Sequence, residues 1–385
     1  IARKYNFLSF PQTLEFFYNN KVALIAGIIS FIGYIGFTSS QILAGAKLAS
    51  ATFPSIDLTT AVLIMGVIAV IYTVLGGIKA VIYTDTIQWI VLITGLCLLG
   101  VPMGFVKLGG WSEIRNALPD EFFSLSNISV VQLINWMVTI VPVWFIGMTL
   151  YQRIFSCKDE KTAIKAWRIA GLFEWPVMAF MGVILGLFAK IAFEQGIFAE
   201  IGYLPGMEID AELGLPLFLR YVYPVGLIGL MMSVYFSAIM STADSCLMAA
   251  SGNLTTDIIG ACNKKIASNI KFSQIITLLI GAASILLATV MTSVLDLMLY
   301  SYAFMVSGLF IPVLGMLFVK NPSPKAAMIA MIAGGGSTLV LIISDVNIPY
   351  QLDANVIGIT ISLVSFAIVQ FFTRRVATHS QRFNS

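Results

Sequence analysis

Long apolar runs constrain this chain more than any other feature, because ten of them are long enough to cross a bilayer as a helix. A transmembrane helix needs about 20 predominantly apolar residues. The runs, bounded by charged, glycine or proline residues, cover residues 22–52, 59–75, 80–104, 129–152, 165–192, 224–250, 272–297, 299–319, 325–344 and 354–372. Only 11% of the residues are charged, against roughly 25% in soluble proteins. We therefore expect an all-α integral membrane protein with one transmembrane domain over residues 1–385.

The basic residues fall mainly on one side of such a bundle. If the N-terminal segment lies in the cytoplasm, ten alternating spans place about 17 of the 22 lysine and arginine residues on the cytoplasmic side. Cytoplasmic loops are enriched in these residues, so we expect a plasma-membrane protein with the start of the chain and the C-terminus in the cytoplasm. The balance of 22 basic against 19 acidic residues gives no indication of a nucleic-acid partner.

Two aspartates lie within the apolar runs, Asp85 in the third and Asp244 in the sixth. A carboxylate inside a membrane span is costly and usually faces a cavity, an ion or a partner. Both are flanked by Ser and Thr hydroxyls, and hard cations prefer oxygen ligands. The two aspartates therefore predict an oxygen-lined cation site and a transport function. For Asp85 a second interpretation stays open, that of a solvated acid stabilised by the dipole at the start of its helix.

The sixth run places its small and hydroxyl side chains on one helical face. Ala238, Ser241, Thr242 and Ser245 follow the i, i+3, i+4, i+7 spacing of neighbours on a helix. Asp244 lies near the edge of this face, and the combination of hydroxyls, a carboxylate and a carbonyl would suit Na⁺. The alternative is a packing face, with the hydroxyls bonded back to carbonyls one turn earlier.

Two further runs carry candidate ligand-binding features. Pro142 removes a backbone hydrogen bond and Gly147 loosens the next turn of the fourth run, so we expect either a broken helix or an ordinary proline kink. A broken helix offers backbone groups to a ligand at mid-membrane. The first run contains a polar stretch from Tyr34 to Gln41, which either lines a pocket or bonds to neighbouring helices.

Several segments together resemble the sodium/solute symporter family, the group of the sodium–proline, sodium–glucose, sialic-acid and choline transporters. The resemblance covers nearly the whole chain and is most specific around Asp85 and Ser241. The matching segments are Leu8–Phe17, Ala44–Lys47, Tyr72–Gly77, Tyr83–Gln88, Gln152–Arg153, Lys158–Lys161, Ala238–Ser245 and Asp257–Ile258.

The resemblance implies the leucine-transporter-like inverted-repeat bundle. Matched to that fold, this chain starts just before core helix 3, so core helices 1 and 2 would be missing and the fragment would be N-terminally truncated. The residues implied for the main sodium site are Ala238, Ser241 and Thr242. Those implied for a possible second sodium site are Asp85, Ser241, Asp244 and Ser245. The implied substrate or gate positions are Trp144, Phe145, Phe37 and Gln41.

The expected function is Na⁺-coupled symport of a small organic solute by alternating access, with Na⁺ as the coupling ion and no enzymatic activity. The expected partners are the solute and the lipid bilayer. A proton-coupled symporter and a transporter-like solute sensor stay open as alternatives. A remote alternative is an intramembrane aspartyl protease, which also needs two membrane aspartates.

Overall fold

The computed structural model describes residues 7, 9–124, 127–344, 346 and 348–383, and over these residues the chain is helical with no β-strand. Leu8 and residues 1–6, which enter the resemblance and the charge count above, lie outside the described residues. The α-helices are α1 (Phe10–Phe17), α2 (Asn20–Thr52), α3 (Leu58–Leu92), α4 (Val101–Lys107), α5 (Gly110–Ala117), α6 (Val130–Ile146), α7 (Met148–Ser156), α8 (Glu160–Phe173), α9 (Phe180–Glu194), α10 (Gly214–Val222), α11 (Val225–Gly252), α12 (Gly260–Cys262), α13 (Lys264–Ala267), α14 (Ile270–Val290), α15 (Val294–Phe318), α16 (Pro324–Ile343) and α17 (Ala354–Phe383). Three π-helical segments, which follow α3, α8 and α11, are Ile93–Gly100, Glu174–Ala179 and Asn253–Ile259.

Ten helical stretches of the described chain are long and apolar enough to cross a membrane, which confirms the expected number. They are Asn20–Thr52, Leu58–Gly77, Val81–Lys107, Val130–Ser156, Glu160–Glu194, Val225–Cys262, Ile270–Val290, Val294–Phe318, Pro324–Ile343 and Ala354–Thr373. Large apolar side chains such as Leu75, Val225 and Phe318 are exposed on the outside of the bundle. Such an apolar exterior is typical of a surface that contacts lipid.

Two helix boundaries differ from the predicted ones, and side-chain caps account for both. Helix α15 starts at Val294 because the Ser293 hydroxyl accepts the Asp296 N–H at 3.1 Å, so the break falls before the predicted one at 297–299. The fifth span starts at Glu160, not at 165, because Asp159 caps α8 and its carboxylate accepts the Thr162 N–H at 2.7 Å.

A bend at Gly77 separates the second and third spans within α3. Gly77 has φ +60° and ψ −179°, a conformation that is accessible to glycine and strained for other residues. The third span begins at Val81, so Asp85 lies in its first turns.

Helix α2 lies at the centre of the bundle and packs against α3, α11, α14 and α15. Helix α11 in turn contacts both α3 and the short α7. The helices approach closely where small residues meet, as membrane helices commonly do. A Cβ atom on Gly358 of α17 would lie 1.9 Å from the Thr338 Oγ1 of α16, so this contact requires glycine. The contact between α3, α7 and α11 brings the candidate site together.

Candidate cation site

The middle of α11 carries the hydroxyl face that the sequence predicts. Ala238, Ser241 and Thr242 are half-buried there, and Ser245 is buried. The Thr242 hydroxyl donates to the Ala238 carbonyl at 3.3 Å, and the Ser245 hydroxyl donates to the Ser241 carbonyl at 2.7 Å. Both are bonds to the carbonyl four residues earlier, as the packing interpretation expects. The carboxylates around this face are what distinguish it from a packing surface.

Asp85 of α3 lies opposite this face. The Ser241 Oγ donates to Asp85 Oδ1 at 2.5 Å, and Asp85 Oδ2 accepts a hydrogen bond from Arg153 Nη2 at 2.7 Å. A hydroxyl that donates its proton keeps its lone pairs for another partner, so Ser241 can still ligate a cation. Side chains of two other helices bind the carboxylate, so Asp85 joins α3 to α7 and α11, which the interpretation of a solvated acid at a helix start does not explain.

Arg153, at the end of α7, joins the two helices. Its Nη2 donates both to Asp85 Oδ2 and, at 2.5 Å, to Ser245 Oγ, while Nη1 donates to the Thr149 carbonyl at 3.2 Å. The side chain is one-third exposed, against 22% for Asp85. Charge-assisted bonds of this kind are roughly twice as strong as neutral ones. One guanidinium thus connects α3, α7 and α11.

Asp244 is the least satisfied carboxylate of the site. Its side chain is fully buried, its Oδ1 lies 3.4 Å from the Ser245 hydroxyl, and its Oδ2 has no hydrogen-bond partner within the described residues. An ionised carboxylate that is buried without a partner is very costly. The position therefore calls for a proton, a cation or a water molecule on the unpaired oxygen.

Together these residues offer hard oxygen donors of three kinds: the Ser241 and Thr242 hydroxyls, the Ala238 carbonyl and the Asp244 carboxylate. Such a donor set suits an alkali or alkaline-earth cation, whereas transition metals prefer imidazole or thiolate ligands. The unpaired Asp244 oxygen is the specific feature that fits a cation here.

Trp144 and Phe145, two of the predicted substrate or gate residues, are 46% and 41% exposed and line a large aromatic cavity that is open at the surface of the bundle. It has a volume of about 850 Å³ between α6 and α8, and Trp136 and Trp167 are also in its wall. The Trp144 and Trp167 rings meet edge to face, with centroids 6.2 Å apart. Arg153 lines the same cavity and also bonds Asp85 and Ser245, so it lies between this space and the candidate cation site.

The other two predicted substrate residues lie elsewhere. Gln41 lines a separate cavity of about 520 Å³ together with Ala238 and Lys47. Phe37 is buried and stacks on Tyr302, with ring centroids 4.8 Å apart. The structure therefore does not bring the four predicted substrate residues into one cavity.

The predicted helix break is present, but it lies at Gly147. Helix α6 continues through Pro142 to Ile146, and α7 resumes at Met148, because Gly147 adopts an extended conformation with ψ 108°. The break leaves the Thr149 N–H free of its usual helical partner, and the Tyr34 hydroxyl of α2 accepts it at 3.2 Å. The polar stretch of α2 thus bonds to a neighbouring helix through Tyr34.

Arg153 is a residue of the site that was not predicted from the sequence. It directly follows the fourth predicted span, 129–152, and it counts above as a cytoplasmic basic residue and as part of the matching segment Gln152–Arg153, with no role at the site. An arginine at the edge of an apolar run that also contains a predicted helix break is a candidate site residue, and this pattern could have identified Arg153. Which carboxylate it meets depends on the packing of α3, 68 residues away in the chain.

Comparison with known proteins places this architecture in a family. The model of the sodium:solute symporter family matches residues 1–334. Among the relatives is the osmoregulated proline transporter OpuE of Bacillus subtilis (strain 168), 24% identical over 371 residues, which are 93% of this chain and 72% of that protein. Another is the high-affinity proline transporter PutP of the same organism, 25% identical over 389 residues, covering 96% of this chain and 77% of the relative.

The fold agrees with a solved structure described as the substrate-bound outward-open state of a Na⁺-coupled sialic acid symporter. The two share 22% sequence identity with a TM-score of 0.77, over 96% of this chain and 78% of that one. The helical bundle is therefore the leucine-transporter-like fold that the resemblance implied. Since the family consists of transporters and not of enzymes, the protease alternative is wrong. The chain belongs to the sodium:solute symporter family and is a multi-pass membrane protein whose family couples transport to Na⁺.

Proposed function

We propose that this chain takes up a small organic solute by Na⁺-coupled symport with alternating access across the plasma membrane. The observation that carries the proposal is the pairing of the α11 hydroxyl face with Asp85 of α3, because it concentrates oxygen ligands at one contact inside the bundle. The orientation that we propose, with the start of the chain and the C-terminus in the cytoplasm, rests on the distribution of basic residues.

The main sodium site in this proposal uses the Ala238 carbonyl and the Ser241 and Thr242 hydroxyls. The Thr242 hydroxyl lies at 3.3 Å from the carbonyl that it bonds, a long contact, so rotation of this hydroxyl would release a carbonyl lone pair. The second cation position uses Asp85, Ser241, Asp244 and Ser245, which are adjacent in the structure.

The energy available from sodium is enough to drive accumulation. Each inward charge contributes about 2.3 kcal/mol per 100 mV of membrane potential, and each tenfold concentration gradient adds about 1.4 kcal/mol. A bound ion shifts the conformational equilibrium only if it binds one state better than the other. Contacts between α11 and α3 that differ between the two states would supply that difference.

A Ser241→Ala variant tests this assignment. We expect it to raise the Na⁺ concentration for half-maximal solute uptake by at least about tenfold, because a ligand oxygen and the bond to Asp85 are both lost. Labelled solute uptake in vesicles, measured over a series of Na⁺ concentrations, gives the value. Unchanged Na⁺ dependence would remove Ser241 from the sodium site.

Small amino acids are the first candidates for the solute, since the relatives named above are proline transporters. We propose Trp144 and Phe145 as substrate or gate residues on the aromatic cavity, and Phe37 and Gln41 as further candidates that require another conformation to reach it. A panel of labelled amino acids and related solutes, tested with and without Na⁺, would identify the substrate.

Proton coupling is a second candidate, and the unpaired buried oxygen of Asp244 favours it. A carboxylic acid can hold a proton where a carboxylate would hold a cation. Uptake assays in which Na⁺ is replaced by choline separate the two, because a proton-coupled carrier keeps its activity under an imposed pH gradient.

A further inference from the structure

The second cation position already holds a positive charge that belongs to the protein. Arg153 Nη2 donates to Asp85 Oδ2 at 2.7 Å and to Ser245 Oγ at 2.5 Å, two of the oxygens assigned above to a second ion. We propose that the Arg153 guanidinium is the second cation of the site, tethered to α7, and that one Na⁺ binds at the unpaired Asp244 oxygen, apart from the two oxygens that Arg153 bonds. This inference rests on the proposed sodium coupling and specifies its stoichiometry.

The guanidinium already bonds two of the oxygens that a second ion would need. The Ser245 hydroxyl donates its proton to the Ser241 carbonyl, which leaves its lone pairs for the guanidinium. Asp85 Oδ1 is taken by Ser241 and Asp85 Oδ2 by Arg153. The bond from Nη1 to the Thr149 carbonyl holds the planar guanidinium in this orientation.

The charges where α3, α7 and α11 meet can be balanced by one further cation. Two carboxylates, Asp85 and Asp244, face one guanidinium. The guanidinium bonds Asp85, whereas the fully buried Asp244 keeps an unpaired oxygen. One monovalent cation near Asp244 completes the balance.

A second sodium on the Asp85 and Ser245 oxygens that Arg153 already bonds would lie against the guanidinium and be repelled by it. Two unit charges of the same sign about 4 Å apart, in an effective dielectric constant near 20, weaken binding by roughly a thousandfold. A second ion would therefore require that Arg153 leave both Asp85 and Ser245. The competing interpretation is an ordinary ion pair that breaks when sodium enters, and the number of ions bound distinguishes the two.

Equilibrium binding of ²²Na⁺ to the purified chain in detergent measures this number without knowledge of the solute. We expect one Na⁺ per chain with a Hill coefficient of one. Arg153→Gln removes the charge and leaves the oxygens, so we expect two Na⁺ per chain. Arg153→Lys keeps the charge and should bind one. Arg115→Gln removes an arginine from an exposed pair with Asp120 and serves as the matched control, also with one ion.

An Arg153→His variant gives an independent readout on a single protein. Histidine changes its charge near pH 6.5, so we expect one Na⁺ at about pH 5 and two at about pH 8. The ion count of the wild-type chain also tests the proposal without any variant, should the Gln variant not fold.

Two sodium ions on the wild-type chain would overturn the tethered-cation proposal and leave the sodium coupling intact. A single ion on Arg153→Gln, with unchanged affinity, would overturn it as well. Absence of any saturable ²²Na⁺ binding by the wild type would contradict the proposed sodium coupling, and the tethered-cation proposal with it.

Discussion

Two clusters in this molecule each combine one basic side chain with two carboxylates. Within the described residues, only one of the two has a carboxylate oxygen that lacks a hydrogen-bond partner. The first, which we propose as the ion-binding cluster, consists of Asp85, Arg153 and Asp244. The second joins Lys47 of α2 to Asp210 and Glu212, which lie just before α10. Lys47 is buried, and its Nζ lies 2.6 Å from Asp210 Oδ2 and 2.5 Å from Glu212 Oε2.

In the Lys47 cluster every carboxylate oxygen of Asp210 and Glu212 accepts a hydrogen bond. Glu212 also accepts the N–H groups of Val294 and Leu295 at 3.0 and 2.9 Å, so it caps the start of α15. Asp210 Oδ1 accepts the Glu212 N–H at 3.0 Å. A carboxylate at a helix N-terminus is stabilised by the helix dipole and by the free N–H groups. This cluster therefore braces α2, the loop before α10 and α15 against one another.

The ion-binding cluster differs in its unpaired Asp244 oxygen and its row of hydroxyls. The contrast teaches that charge alone does not mark a functional site in a membrane bundle. A buried carboxylate that lies in a membrane span beside hydroxyls, with an oxygen left for a further ligand, is the stronger indication of an ion site. We accordingly expect substitutions in the Lys47 cluster to lower the stability of the protein and substitutions in the ion-binding cluster to lower its Na⁺ affinity.

The largest expected effect is on stability, in the Lys47 cluster. Lys47→Met leaves two carboxylates without their cation. Lys47 is buried but Asp210 is 41% and Glu212 24% exposed, so we expect a cost of about 1–3 kcal/mol, between that of a surface pair and that of a fully buried one. We expect a clear fall in the Tm of the purified protein, with Na⁺ affinity changed less than about twofold in ²²Na⁺ binding.

Lys190→Met is the matched control for that variant. Lys190 pairs with Glu194 one turn away on an exposed face, and such surface pairs contribute less than about 0.5 kcal/mol. A Tm loss as small in Lys47→Met as in this control would show that the Lys47 cluster is not a brace.

The next effect is on ion affinity, in the ion-binding cluster. Asp244→Asn keeps the shape of the side chain and removes its charge. We expect the Na⁺ concentration for half-maximal ²²Na⁺ binding to rise about tenfold or more, while the Tm without Na⁺ stays the same or rises, since a costly buried charge is gone. A drop in stability with unchanged Na⁺ affinity would reverse the distinction between the two clusters.

The architecture was predictable from sequence because the bilayer dictates it. Run lengths near 20 residues identify the ten spans without knowledge of their packing. Helix ends were less predictable, since single caps such as Ser293 and Asp159 decide them. The pairing of Asp85 with Ser241 followed from family resemblance, because periodicity alone places each residue on a face and does not say which helix that face meets.

The ionic partners could not be predicted in the same way. Lys47 and Asp210 are 163 residues apart, and Arg153 and Asp85 are 68 apart. Such pairs depend on how neighbouring helices are rotated and on where α6 breaks. The sequence predicted a break in this helix at Pro142 or Gly147. Only the structure shows that the helix continues through Pro142 and breaks at Gly147.

The smallest expected effect tests a single hydroxyl. Thr242→Val removes one oxygen ligand and keeps the branched shape, so we expect a three- to tenfold weaker Na⁺ affinity, in keeping with the loss of one hydrogen-bonding group. Thr242→Ser keeps the hydroxyl and is the control, with affinity within about twofold of wild type. Equal Na⁺ affinities for the Val and Ser variants would exclude the Thr242 hydroxyl from the site.

The claim that the α11 hydroxyl face binds sodium is tested most directly by the thermal stability of the purified chain in Na⁺ and in K⁺. An ion that binds only the folded state raises stability, by about 2.7 kcal/mol at one hundred times its dissociation constant. We predict a Tm increase in Na⁺ over K⁺ that is lost in Ser241→Ala. The increase should persist in Ser233→Ala, which removes an exposed hydroxyl from the same helix. A Na⁺-dependent increase of equal size in both variants would contradict the claim.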